Sequence, residues 1–165
     1  MSLIIGEKIN ELMKGYPTVS DKYDVAPAVL EGDADVYFGD PVQFGDTNGY
    51  FKAVGANLAS ADKIAGFALA TNVKVADQYP GRTVSIKPGE GFNLCIGGFM
   101  AIELDSEATL AQCTANAKVH VILATGKLTT PDKYEASKTV PLNGVVFTGV
   151  SETQGTTKLA EILIK

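Results

Sequence analysis

The sequence predicts an all-β chain, a β-sandwich or barrel-like domain of about nine or ten short strands preceded by an N-terminal arm or short helix. Three observations carry that expectation. Val, Ile, Thr and Phe are common, tryptophan is absent, and there are 17 glycines among 165 residues, a composition suited to pleated strands joined by many turns. Apolar residues recur mostly with period two. Turn dipeptides and Gly/Pro clusters cut these runs into short, regularly spaced pieces.

At the N-terminus, Ile5, Ile9, Leu12 and Met13 fall on one helical face, with Gly6 interrupting the pattern. Gly15-Tyr16-Pro17-Thr18 and the polar stretch Ser20–Asp24 follow. An apolar segment on a polar, proline-punctuated linker is a candidate arm that packs on a neighbouring molecule, with Ile4, Ile5, Ile9, Leu12, Met13 and Tyr16 as its contact residues. The alternative is a helix folded back on its own core. The chain therefore divides into an arm and linker, residues 1–24, and a single β-rich domain, residues 25–165.

From Val25 to Val54 the pattern is β. Asn48-Gly49, between Val42/Phe44 and Tyr50/Phe51/Ala53, predicts a hairpin, because both central residues of a type I′ turn need positive φ. Gly39-Asp40-Pro41 is a further turn, Ile64–Leu69 a short buried strand, and Asn72–Arg82 a loop through Tyr79-Pro80-Gly81. The longest strand signal is Phe92–Leu104. Phe92, Leu94, Ile96, Met100, Ile102 and Leu104 share one parity, and Asn93, Cys95, Ala101 and Glu103 the other. About 13 residues at about 3.3 Å each would span roughly 43 Å, far beyond an ordinary strand, so a bend or bulge is expected at Gly97-Gly98. Thr83–Lys87 continues the parity across Pro88-Gly89-Glu90-Gly91 and reads as the other half of a hairpin. Phe99 falls on the small and polar face, which makes it a candidate interface anchor; a bulge that flips the parity and buries it is the alternative.

Ser106–Ala117 reads either as a short helix capped by Ser106 or as a small-residue loop. Lys118–Ala124 is a strand ending in the turn Thr125–Leu128, and Thr129–Lys138 is a charged loop. Asn143-Gly144 is a second turn signal before Val145–Val150, and Leu159–Ile164 is the closing strand.

Composition narrows the function. A net charge of −5, with 19 acidic against 14 basic residues and Arg82 as the only arginine, argues against a phosphate-backbone partner. Apolar runs far below the roughly 18 residues of a membrane span, and an N-terminus without a signal-peptide pattern, predict a soluble, unexported chain. Cys95 and Cys113 are expected as free thiols in a reducing compartment. His120 shares the parity of Lys118 and is expected to face solvent. One histidine and two separated cysteines cannot supply a zinc site, and a Cys95–His120 dyad would require neighbouring strands. Glu31, Asp33, Asp35, Asp40 and Asp46 read as a solvated acidic rim, with a weak calcium site as the alternative. Gly89-x-Gly91 with Gly97-Gly98 lacks the GK[ST] ending of a phosphate loop. The expectation is a protein that is not an enzyme, with no cofactor and no metal.

The order of patterns resembles the capsid cement, or decoration, proteins of tailed bacteriophages. The matching stretches are Glu31–Val36 leading to Phe38-Gly39-Asp40-Pro41-Val42, then Ile64–Ala68, then Val84–Gly91 with its long strand. Ala117–Val121 through Thr125–Thr129 and the closing Leu159–Ile164 complete the set, and Ile9–Pro17 resembles the starts of phage structural proteins. The resemblance implies a non-enzymatic protein on the outer surface of the virion capsid, assembled in the bacterial host cytoplasm. It would bind the major capsid protein, bridge adjacent capsomers and self-associate, with a trimer favoured. A phage tail or baseplate β-module and a small-ligand-binding β-barrel are the rival readings.

Overall fold

The computed structural model describes residues 12–19, 22–54, 64–70 and 85–165. Ile4, Ile5, Ile9, the helical pattern before Leu12, the 56–63 stretch and the 72–82 loop lie outside the described residues. The described residues form eleven strands: β1 (Tyr23–Leu30), β2 (Val36–Tyr37), β3 (Pro41–Phe44), β4 (Tyr50–Ala53), β5 (Ile64–Leu69), β6 (Ser85–Ile86), β7 (Gly91–Leu104), β8 (Lys118–Ile122), β9 (Leu128–Thr129), β10 (Thr139–Gln154) and β11 (Thr157–Ile164). Single 3-10 turns at Leu110–Gln112 and Pro131–Lys133 are the only helical residues among them. The expected helix in Ser106–Ala117 is therefore one such turn within a loop.

Nine strands hydrogen-bond in the order β1-β4-β3-β5-β7-β11-β10-β8-β9, while β2 and β6 pair separately. Two further pairings, β1 with β7 and β9 with β7, close this sheet on itself twice. One ring of strands is β1-β4-β3-β5-β7 and the other is β7-β11-β10-β8-β9. Closure is brief at two seams: β1 meets β4 through Val29↔Tyr50 and Leu30↔Phe51, and β7 meets β9 through Leu104↔Leu128. The architecture is thus two small barrel-like lobes that share β7 as a common wall.

Each lobe has its own apolar centre. Leu30, Val36, Phe38, Val42, Ile86, Phe92 and Leu94 fill the first. Met100, Ile102, Leu104, Val119, Val121, Phe147 and Ile162 fill much of the second. β7 contributes to both, and so does β5, which sends Ala68 into the first and Phe67 and Leu69 into the second. A strand buried on both faces has no polar side, which is why Ile64–Leu69 reads as an unbroken apolar run.

The change of lobe along β7 occurs at a bulge. Asp24 opposes Gly97 and Val25 opposes Cys95, leaving Ile96 as the extra residue. Gly98 follows with φ +96°. The insertion flips the parity locally: Cys95 is buried while Ile96, expected in the core, is 45% exposed. Beyond the bulge Met100, Ile102 and Leu104 return inward.

Several turn expectations resolve differently. β6 pairs with β2 (Val36↔Ile86), and among the described residues it makes no hairpin with β7. The Pro88–Gly91 turn is instead tied to the end of β1, where Gly89 N–H donates to Leu30 O and Leu30 N–H to Glu90 O. This pairing carries Val36 and Ile86 side by side into the first core. Asn143-Gly144 lies inside β10 as a register shift between Pro141 and Val146, with Gly144 at φ +72°. The β3–β4 hairpin is present with a longer loop than a two-residue turn, since Gly45 N–H bonds Tyr50 O across Asp46–Gly49.

Leu12–Val19 lies along the edge of β7. Gly15 N–H donates to Ala101 O, Ala101 N–H to Tyr16 O, and Thr18 N–H to Phe99 O. Leu12 is buried against Ala101 and Leu159. Its backbone is held at both ends by β10, because its N–H donates to Glu152 Oε1 and its carbonyl accepts from Gln154 Nε2 at 2.8 Å. Ala101, on the small and polar face of β7, is fully buried because this segment covers it.

Candidate interface

The sequence-predicted contact residues that are described occupy one place. Leu12 is buried, Met13 and Tyr16 are half-buried, and Phe99 is half-buried where its backbone pairs with Thr18 and Lys22. They belong to the seam between the N-terminal segment and β7. Lys14 secures that seam with ion pairs to Asp40 of the β2–β3 turn (2.7 Å) and Glu103 of β7 (3.1 Å). Burial works against its charge, but the two carboxylates outweigh it and raise its pKa. Its ammonium also stands 5.9 Å above the Tyr37 ring.

The strongly exposed apolar side chains lie elsewhere. Among the described residues, Tyr23, Val25, Tyr37, Phe44, Tyr50, Ile96 and Tyr134 are large, apolar and exposed. All but Tyr134 sit on the first lobe or at the β7 bulge. Phe44 is 59% exposed, its ring centroid 6.0 Å from that of its cross-strand partner Phe51, and Tyr50 flanks the same turn. Sequence reasoning treated Phe44 and Tyr50 only as strand pattern, yet aromatic residues on both sides of an Asn-Gly turn were the available signal, since the tip of a hairpin reaches past the core.

That turn is braced from β1. Glu31 accepts the Asp46 N–H through Oε1, Lys52 bonds Asp46 Oδ2, and Lys52 Nζ lies 3.6 Å from Glu31 Oε1. The hydrogen bond from the Asp46 backbone lowers the Glu31 pKa below the usual range. Gly45 is required here because a Cβ would meet Glu31 Oε1 at 2.5 Å and Tyr50 O at 2.6 Å.

Charge is divided between the lobes. Among the described residues, those up to 98 hold seven carboxylates against four lysines, a net of −3, whereas residues 99–165 hold seven against six, a net of −1. A cleft of about 440 Å³ separates the lobes, lined among others by Lys14, Asp40, Glu103, Asp105, Lys127 and Lys158. Lys158 is engaged by the carbonyls of Ser106 and Ala108, and Lys127 lies 3.7 Å from Asp105.

The residues weighed for chemistry are dispersed. Cys95 and Cys113 are buried free thiols, the first donating to Gly97 O at 3.4 Å. Burial raises the pKa of Cys95 and pushes that of Cys113 to about 11. β7 and β8 are not adjacent, so Cys95 and His120 share no strand pair. His120 is 7% exposed, contrary to the expectation of a solvent-facing ring. The Pro131–Lys133 turn carries Tyr134 over the outer face of β8, and the two rings meet edge to face with centroids 5.8 Å apart. Burial, and then Lys118, lower the His120 pKa. Among the described residues no group of three or more His, Cys, Asp or Glu side chains converges on a metal position. Asp33, Asp35 and Asp46 are exposed, as a solvated acidic rim requires; Asp35 accepts from Ser85 Oγ at 2.7 Å and Asp40 pairs with Lys14.

No curated protein sequence matches this one. Among solved structures, a chain in the capsid of Myoviridae phage XM1 superposes with a TM-score of 0.66 at 15% identity, covering 100% of this chain and 97% of that one. The likeness shows a shared fold. A family model described as structural cement protein (E217 gp24/Pam3 gp6) matches residues 6–165. As the order of its turns and strands implied, the chain belongs to the structural cement protein family.

Proposed function

We infer that this protein is a non-catalytic component of a phage virion that binds the outer surface of the assembled capsid and stabilises it by bridging adjacent capsomers. The observation that carries the reading is the family match over residues 6–165, both lobes included. Two lobes on one shared strand suit a bridge, since each lobe can engage a different subunit. The mechanism is mass action. A protein that binds only the assembled lattice stabilises it by RT ln(1 + [L]/Kd), about 4 kcal/mol per site at a thousandfold excess over Kd. Self-association as a trimer would multiply the contacts made in each binding event. The segment before Leu12, with Ile4, Ile5 and Ile9, is the arm that reaches a neighbour, starting from the Leu12 anchor on β10.

The test is co-sedimentation of the purified protein with emptied heads of the parent phage, together with its mass in solution. Saturable binding at a fixed ratio to the major capsid protein is the expected result. A protein that stays in the supernatant at all concentrations, or that co-purifies with tails, would overturn the reading.

A further inference from the structure

We propose that the β3–β4 hairpin tip is the anchor by which the first lobe docks on the shell, entering an apolar cleft of the coat subunit that receives Phe44 on one face of the hairpin and Tyr50 on the other and is rimmed by basic side chains. The inference rests on the shell-binding reading above and assigns the surface that performs it. Three independent observations converge on this tip.

The first is exposure. Phe44 (59%) and Tyr50 (40%) flank the turn on opposite faces of the hairpin, and exposed aromatic side chains are the residue type that dominates binding energy at interface centres. The second is preorganisation. The turn lies beyond the first core but is held by the Glu31 carboxylate on the Asp46 N–H, by Lys52 on Asp46, and by the Gly45–Tyr50 backbone bond at 2.9 Å. Gly45 admits no side chain at that point. A tip already fixed in one conformation loses little entropy on docking, and aromatic rings add few rotamers to freeze. The third is charge. Asp46 is 88% exposed at the tip, Glu31 lies behind it, and the described residues up to 98 hold a −3 excess while the second lobe is near balance. A negative rim around an aromatic centre selects a positive rim around an apolar recess. The first lobe of a second copy offers the wrong sign, because it is equally acidic.

The experiment measures co-sedimentation with emptied heads stripped of this protein, for the wild type, Phe44→Ser/Tyr50→Ser, Asp46→Lys and Tyr134→Ser. The expected result is a Kd raised at least about tenfold by the double substitution, where each lost anchor counts as an interface hot spot. Tyr134→Ser, on the second lobe, should stay within about threefold of wild type. Wild-type binding should weaken as NaCl rises, and Asp46→Lys should weaken binding and flatten that dependence. All four are checked by melting temperature, and Asp46→Lys, which gives up the Lys52 ion pair but keeps the Glu31 bond to the backbone N–H, serves if the double variant proves unstable. Wild-type binding with unaffected double and Asp46→Lys variants would overturn the hairpin assignment while leaving shell binding intact. A double variant that changes the solution mass of the protein would overturn it too, by making the hairpin a contact between copies. No binding by the wild type would remove the shell-binding reading itself.

Discussion

Gly98 is where β7 crosses from one lobe to the other, and a side chain there has no room. A Cβ would lie 1.9 Å from Lys22 O and 2.5 Å from Tyr23 Cα, at φ +96°. Gly98→Ala should therefore cost about 2 kcal/mol or more, lowering the melting temperature by about 4–8 °C. Gly89→Ala, at φ +85° with nothing near its Cβ position, should cost about 1 kcal/mol. A differential scan comparing the two separates steric conflict from backbone strain. His120 supplies a pH dependence. Its folded pKa lies below the unfolded 6.5, so the unfolded state binds the extra proton first. Stability is full above about pH 6.5 and declines as pH falls through the depressed value. Melting curves between pH 7.5 and 5.5 should show that decline, and His120→Phe should flatten it; an equal slope in the variant would rule His120 out. Glu31, held low by the Asp46 hydrogen bond, contributes its loss only below about pH 4.5, in a separate window. The glycine was legible in the sequence because two adjacent glycines in a long strand need a bulge. The burial of His120 was not, since the Tyr134 ring that covers it arrives from a turn that strand parity does not see.

At the level of elements, β7 was readable from its alternation, and its partners were not. The same parity that joined Thr83–Lys87 to it as a hairpin instead reflects a shared need for apolar residues in the first core, met by the β2–β6 pair. The N-terminal segment splits at Leu12. Deleting Met1–Glu11 should leave melting temperature within about 2 °C and weaken shell binding. Deleting through Gly15 should cost several degrees more, because Leu12 leaves its site against Ala101 and Leu159 and the Ala101 edge loses its Gly15 bond. Thermal melts on both truncations distinguish the arm from the clasp. The candidate contact residues Leu12, Tyr16 and Phe99 shared a place in space that spacing alone did not show, while Phe44 and Tyr50 were hidden in a strand pattern that gave no reason to look at the tip.

For the whole molecule, two cores on one continuous strand predict one cooperative transition. Phe147 is fully buried in the second lobe, and Phe147→Ala should cost about 3–5 kcal/mol. Because β7 cannot leave one ring and keep the other, calorimetric and van't Hoff enthalpies should agree in both wild type and variant; two resolved transitions would show that the lobes melt separately. The all-β class and the number of turns were legible from composition and period. The double closure was not, because β1–β4 and β7–β9 rest on one or two residue pairs between segments far apart in the chain. The shared strand also decides how the protein carries load. A pull that separates the two lobes runs lengthwise along β7, so the ladders to β1 and β11 are loaded in shear and many hydrogen bonds must fail together. Peeling an edge strand would break them one at a time. A swelling shell that drew the two attachment points apart would thus meet a tie-rod whose ends are each wrapped in a barrel.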